Sequence, residues 1–171
     1  MSAIVTKIPY EFACKRVPLS WQDVQFGLER QLIAPQVAIQ KAMDRLSAST
    51  DATPDEIELA GRSAEEPVLQ LVSRLAARDT IKCDEIQSKW LYLLLAWILE
   101  NCALLNDPLR IVEEVYAAFD YPSEIASFVR YMPMVGPDLG NREQNEARLY
   151  DRWKSYVAEA AKRFSDPSGR W

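Results

Sequence analysis

Apolar side chains return every three or four positions along most of this chain, the spacing of helices with one buried face. Ser20-Trp21-Gln22-Asp23 sets a hydroxyl three residues before an acid, and Val24, Leu28 and Leu32 follow at intervals of four. Ala34-Pro35 restarts the chain with a proline at a first helical position, and Ile39, Met43 and Leu46 continue the period. After the small, polar stretch Ser47 to Thr53, Thr53-Pro54-Asp55-Glu56 combines a cap, a proline at N1 and a glutamate at N3. Ser63-Ala64-Glu65-Glu66 repeats the capping pattern, with Pro67 in a first turn and Val68, Leu71, Val72 and Leu75 on one face. Asp84-Glu85 opens the most apolar segment, where only Lys89, Ala96 and Glu100 share a non-greasy stripe. A helix that is apolar almost all round is surrounded by other helices. Asp107-Pro108 starts a helix to Phe119, and Pro122-Ser123 starts a short one to about Met132, stopped by Pro133. Met134 to Gly140 is a loop. Asn141 then caps a last helix carrying Leu149, Trp153, Tyr156, Val157, Ala160 and Phe164 on one stripe, ended by Asp166-Pro167-Ser168-Gly169. Alternation is absent save for a short extended piece around Ile4 to Ile8. The expected fold is all-α: a single domain over 1–171, about seven helices around a central apolar helix at 85–105. Residues 1–18 read as a partly extended lead-in and 165–171 as a C-terminal tail.

Composition narrows the chemistry more than the fold. The 171 residues are 49% apolar and 26% charged and include no histidine. That excludes Ser-His-Asp and Cys-His nucleophilic sites, His-ligated zinc and helical di-iron sites built on Glu-x-x-His. A net charge of −5 argues against a general nucleic-acid partner, which calls for a basic footprint. The charge is uneven: net +2 over residues 1–50, −9 over 51–140 and +2 over 141–171. Acids at helix starts complement the dipole and account for part of this. The sharper expectation is a negative surface complementary to a basic partner.

Other features set the expected compartment and cofactor content. No charged segment followed by a long apolar one opens the chain, and the longest apolar run, Trp90 to Leu99, is half a membrane span. Cys14, Cys83 and Cys102 are far apart and form no C-x-x-C pair, so neither a disulfide framework nor a thiolate metal site is expected. A cytoplasmic protein without cofactor or metal is the expectation. The run Arg148-x-Tyr150-x-Arg152-Trp153-Lys154-x-Tyr156 interleaves cations and aromatics, but its aromatics lie on the core stripe and Asp151 dilutes its charge. Two carboxylate arrangements are chemically usable: Glu100, which interrupts a buried helix, and Glu143 with Glu146, which share one helix face.

The most distinctive stretch runs from Val115 to Pro133, with Tyr116, Phe119, Tyr121, Phe128 and Tyr131 among two prolines, Asp120, Glu124 and Arg130. It predicts a compact helix–turn–helix joint closed by an Asp120–Arg130 salt bridge. Tyr116, Phe119, Asp120, Tyr121, Pro122, Glu124, Ile125, Phe128, Val129, Tyr131, Met132 and Pro133 resemble the signature of the bacterial domain-of-unknown-function family 2247. Trp21, Asp23, Val24 and Gly27, and Lys89-Trp90-Leu91 with Trp97, fit the same resemblance, which extends over roughly residues 19–160. The resemblance assigns no catalytic residues. It implies an immunity-type protein of a toxin–antitoxin pair, which binds and silences a cognate toxin or effector domain. With the charge distribution, the expected binding residues are Asp55, Glu56, Glu58, Glu65, Glu66, Glu113 and Glu114, facing a basic partner. The alternatives are a small helical enzyme or ligand- or metal-binding module using Glu100 or Glu143/Glu146, and a homo-oligomeric adaptor.

Overall fold

The computed structural model describes residues 7–80 and 83–165, and every regular element among them is helical. Eight α-helices follow in order: α1 Tyr10–Arg16, α2 Trp21–Glu29, α3 Gln36–Ala48, α4 Pro54–Ala60, α5 Leu69–Ala76, α6 Cys83–Glu100, α7 Pro108–Ala118 and α8 Arg142–Ser165. Short 3-10 helices occupy Cys102–Leu104 and Ser123–Phe128. Contacts divide the chain into two compact units, with the boundary between Trp90 and Leu91, inside α6.

In the N-terminal unit the local signals act as the sequence predicts. Ser20 and Asp23 form a reciprocal capping box on α2, and Thr53 and Glu56 form another on α4 with Pro54 at its start. α2 packs on α5, and α3 on α4. Val24, Leu71, Val72, Leu75 and Trp90 are almost wholly buried. Gly27 lies where a Cβ would stand 2.6 Å from Cζ2 of Trp90, so the bare backbone lets that indole against α2. The Trp90 Nε1–H donates to the Asp23 carbonyl at 2.9 Å, satisfying the one polar atom of the ring.

Several expectations need correcting. Tyr10–Arg16 is helical rather than an extended lead-in, whereas Ile8 lies outside any regular element, its N–H donating to the Leu32 carbonyl at 2.8 Å. Residues 4–6 of that predicted extended piece, and the Asp166–Gly169 stop, fall outside the described residues. On α3 the buried face is Val37, Ala38, Ile39 and Ala42, leaving Met43 and Leu46 exposed. The helix presents its two alanines to the core, where small side chains permit close approach. The Ser63 capping box does not form, and α5 begins two residues after Pro67. A helix from Ser63 would need Glu66 helical, and the residue before a proline is pushed to extended backbone. Lys89 is buried, not part of an exposed stripe.

The C-terminal unit is built from Leu91 onward. Leu91 to Leu95 and Ile98 of α6, Val112 and Val115 of α7, Ile125, Phe128 and Trp153 form its core. The Trp153 Nε1–H donates to the Leu95 carbonyl at 3.1 Å, and the Trp153 and Phe128 rings stack. α6 stops at Glu100 rather than about Leu105, where the Asn101 side chain turns back to the Trp97 carbonyl at 2.8 Å. The segment after Pro122 is a 3-10 helix that ends at Phe128, short of Met132. Asn141 caps α8, its Oδ1 accepting from the Gln144 N–H at 2.8 Å.

Candidate functional site

The joint between α7 and the 3-10 helix is where the motif residues gather. Asp107 caps α7, accepting from the Arg110 N–H, and Pro108 occupies its first position. At the far end Asp120 and Tyr121 both take left-handed backbone, with φ of 60° and 58°, and the Tyr121 N–H reaches back to the Tyr116 carbonyl at 2.9 Å. Left-handed backbone is costly for residues with a Cβ, roughly 1–2 kcal/mol each. Two in succession are held here by the packing that follows. Tyr116 is buried, its hydroxyl donates to Met132 Sδ at 3.8 Å, and the rings of Tyr121 and Tyr131 lie against it with centroids 5.3 and 6.1 Å away. Tyr121 and Tyr131 are nonetheless 59% and 56% exposed, so both present aromatic surface outward. Phe119, Ile125 and Phe128 turn inward, while Glu124 is exposed.

Arg130 closes this joint, though not onto Asp120. Its Nη1 and Nη2 form a fork on the Asp107 carboxylate at 3.2 and 3.1 Å, and its Nε donates to Glu113 Oε1 at 3.1 Å. Asp120 is placed instead at the strained turn. The Arg130 hydrogen bonds hold the Asp107 carboxyl below the usual carboxylate range.

Beside the joint a cleft of about 590 Å³ opens between the 129–141 loop and α8. Arg130, Arg142, Arg148 and Arg152 line it together with Asp138 and Glu146, and with apolar surface from Val129, Met132, Met134, Val135 and Leu149. Arg148 Nη1 donates to the Pro137 carbonyl at 2.7 Å; Arg152 donates to the carbonyls of Ser127 and Val135. Gly136, at φ 99°, brings the loop backbone close to the Arg148 guanidinium. Asp138 accepts from the Gly140 N–H and the Asn145 amide, and these bonds hold its carboxyl below the usual range.

The seven acids expected to bind a partner are divided between the two units. Glu56 is 3% exposed and accepts from Trp21 Nε1 and Arg45 Nε at 3.1 and 3.2 Å, so it is a structural group inside α4's start. Burial works to raise its pKa, but bonds from the Thr53 N–H, Trp21 and Arg45 outweigh it and lower the value. Asp55 meets Arg74 and Arg78, and Glu58 meets Arg62. Glu65 and Glu66 are exposed. In the C-terminal unit Glu113 is tied to Arg130, and Glu114 lies 3.8 Å from Arg110.

Of the other candidates, Glu100 is exposed at the end of α6. Glu143 is exposed, while Glu146 bonds Arg142 Nε at 3.0 Å and lines the cleft. No group of three metal-ligating side chains occurs among the described residues. The three cysteines are free. No helix among the described residues is long and apolar enough to cross a membrane. The cleft arginines were not among the expected site residues. Their signal was present in the Arg148/Arg152 spacing of four after a Pro/Gly loop, but the aromatics on the same run draw the reading towards a core stripe.

A second polar cluster lies in the N-terminal unit. Lys89 Nζ is 2.9 Å from Asp23 Oδ2, with both side chains nearly inaccessible, and Asp23 Oδ1 is buried without a hydrogen-bond partner. Lys41 donates to the Leu19 carbonyl at 2.6 Å and lies over the Trp21 ring, and its burial lowers its pKa.

No curated protein and no solved structure matches this chain. The profile of one family, described as an uncharacterised protein conserved in bacteria, matches residues 10–161, which include the joint, the cleft loop and nearly all of α8. The chain belongs to this bacterial family, domain of unknown function 2247.

Proposed function

We propose that this chain is a non-enzymatic, immunity-type protein that binds and neutralises a cognate protein toxin or effector domain. The observation that carries the reading is the surface at the motif joint. Tyr121 and Tyr131 stand more than half exposed on either side of a buried tyrosine, and Met134, Val135 and Leu139 follow, each exposed. Tyrosine, methionine and arginine are the residue types enriched at the energetic centres of protein interfaces. The backbone beneath them is held by the Arg130 fork, so little order has to be gained on binding.

Within this reading the acidic residues contribute mainly to the encounter. Glu58, Glu65 and Glu66 are exposed and can steer a basic partner, while Glu56 is too buried to meet one. Cytoplasmic residence would place the protein where such a partner acts on its own cell.

The test is calorimetric titration of the full chain with the product of the neighbouring gene. Tight binding weakened a hundredfold or more by Tyr121→Ala with Tyr131→Ala is expected, about 3 kcal/mol of hot-spot energy. Charge reversal at Glu65 and Glu66 should slow association without changing dissociation. Absence of binding, or binding indifferent to both tyrosines, sinks the proposal. A concentration-dependent dimer lost in the tyrosine variants would assign this surface to self-association instead. The carboxylate alternative draws support from Glu146 in the cleft. Thermal stabilisation by Mg²⁺ or Mn²⁺ that vanishes in Glu146→Gln would favour it over the interface.

A further inference from the structure

Two cations on α8 form no ion pair among the described residues. Arg148 and Arg152 are four residues apart on one helix, a spacing at which like charges repel. Among the described residues neither has a carboxylate within ion-pair distance; both donate to neutral loop carbonyls, of Pro137, Ser127 and Val135. Of the two acids in the cleft itself, Glu146 bonds Arg142 and Asp138 bonds Gly140 and Asn145, while Glu124, Asp151 and Glu159 stand with Arg148 and Arg152 around a neighbouring surface pocket without an ion pair to either. Arg148 Nε is buried and has no acceptor, an arrangement that protein interiors avoid because the desolvated N–H is left unsatisfied. Of the four arginines that line the cleft, Arg130 is paired with Asp107 and Glu113 and Arg142 with Glu146, which leaves Arg148 and Arg152 as the cations without an ion pair.

We infer that this cleft binds a small ligand bearing a multiply charged oxyanion, a phosphate ester or a polycarboxylate, with an apolar body. Guanidinium groups present paired N–H donors that match the oxygens of phosphate and carboxylate. Here the carbonyl bonds hold two of them in place, so a ligand meets a built site rather than freely rotating side chains. The volume of about 590 Å³ is that of a small-molecule pocket, and Val129, Met132, Met134 and Leu149 supply a wall for the body. The cleft shares Met134 and Val135 with the exposed surface beside the aromatics, but neither reading requires the other.

The experiment is calorimetric titration of the full-length protein with inorganic pyrophosphate and, separately, with citrate, against sodium chloride at matched ionic strength. One saturable site with a dissociation constant of about a millimolar or tighter is expected for at least one of the two anions. Pyrophosphate bound in preference to citrate assigns the phosphate class, and the reverse assigns the carboxylate class. Arg148→Lys keeps the charge but removes the planar pair of Nη donors, and should weaken binding about tenfold. Arg142 is 81% exposed and does not hold the loop, so Arg142→Gln keeps the fold and should weaken binding to a similar degree. Saturation by neither anion, an equal response to chloride, or unchanged affinity in a folded Arg142→Gln overturns the inference.

Discussion

The two units differ in how their least accessible carboxylates and their cleft cations are met, though each also holds the other kind of contact: Lys41 rests on a carbonyl, and Arg130 forks onto Asp107. In the N-terminal unit the buried carboxylates meet opposite charges: Asp23 meets Lys89 at 2.9 Å and Glu56 meets Arg45 at 3.2 Å. In the C-terminal unit Arg148 and Arg152 bond neutral carbonyls and, among the described residues, form no ion pair, and two tyrosines are more than half exposed. A buried ion pair commits both residues to the fold, because neither can be withdrawn without stranding the other. A cation satisfied by carbonyls keeps its charge available, and an exposed aromatic keeps its area.

The largest effect should come from breaking the Lys89–Asp23 pair. Lys89→Ala leaves an uncompensated carboxylate whose Oδ1 already lacks a partner, and should cost about 3–5 kcal/mol in urea unfolding. Adding Asp23→Asn should restore part of that loss; a single-variant cost below about 1 kcal/mol would remove the pair from the account. Gly27→Ala comes next. Its Cβ would meet Trp90 at 2.6 and 2.9 Å and Ile33 at 3.0 Å, so about 1–3 kcal/mol and a shifted tryptophan emission are expected.

Glu56 sharpens the comparison through pH. Its carboxyl titrates lower folded than unfolded, so its contribution is complete above the ordinary glutamate range and is lost as pH falls through the lowered value. Glu56→Gln should therefore cost about 1–3 kcal/mol at neutral pH and flatten the stability profile below about pH 5. A variant profile that falls as steeply as the parent's would count against it. At the small end, Tyr131→Ala and Arg142→Gln should change stability by no more than about 0.5 kcal/mol, both side chains being largely exposed. Loss of partner or anion binding without loss of stability is what a recognition surface requires; a stability loss of several times that size would make these residues structural.

Much of the fold was legible because helix starts are local. Ser20 with Asp23, Thr53 with Glu56, Asp107 with Arg110, and Asn141 with Gln144 each settle their hydrogen bonds within three residues, so the string of letters contains the whole interaction. Ser63 fails for an equally local reason, the restriction that Pro67 places on Glu66. The site was less legible. Asp120 and Arg130 have suitable charges and spacing, yet Arg130 turns to Asp107, twenty-three residues upstream. Glu56 reads as one more surface acid until Trp21, thirty-five residues away, brings its indole to it.

The sequence by itself determined the helical class, most helix starts, the apolar run that becomes the buried α6, and membership of the bacterial family through the Tyr116–Pro133 motif. These follow from periodicity and capping, which act over one or two turns. Only the tertiary structure decided which charges are spent on one another and which remain outward: Glu56 and Lys89 inside, Arg148 and Arg152 at the cleft. Burial and pairing are set by residues distant in sequence, and a charged side chain is written with the same letter in either place.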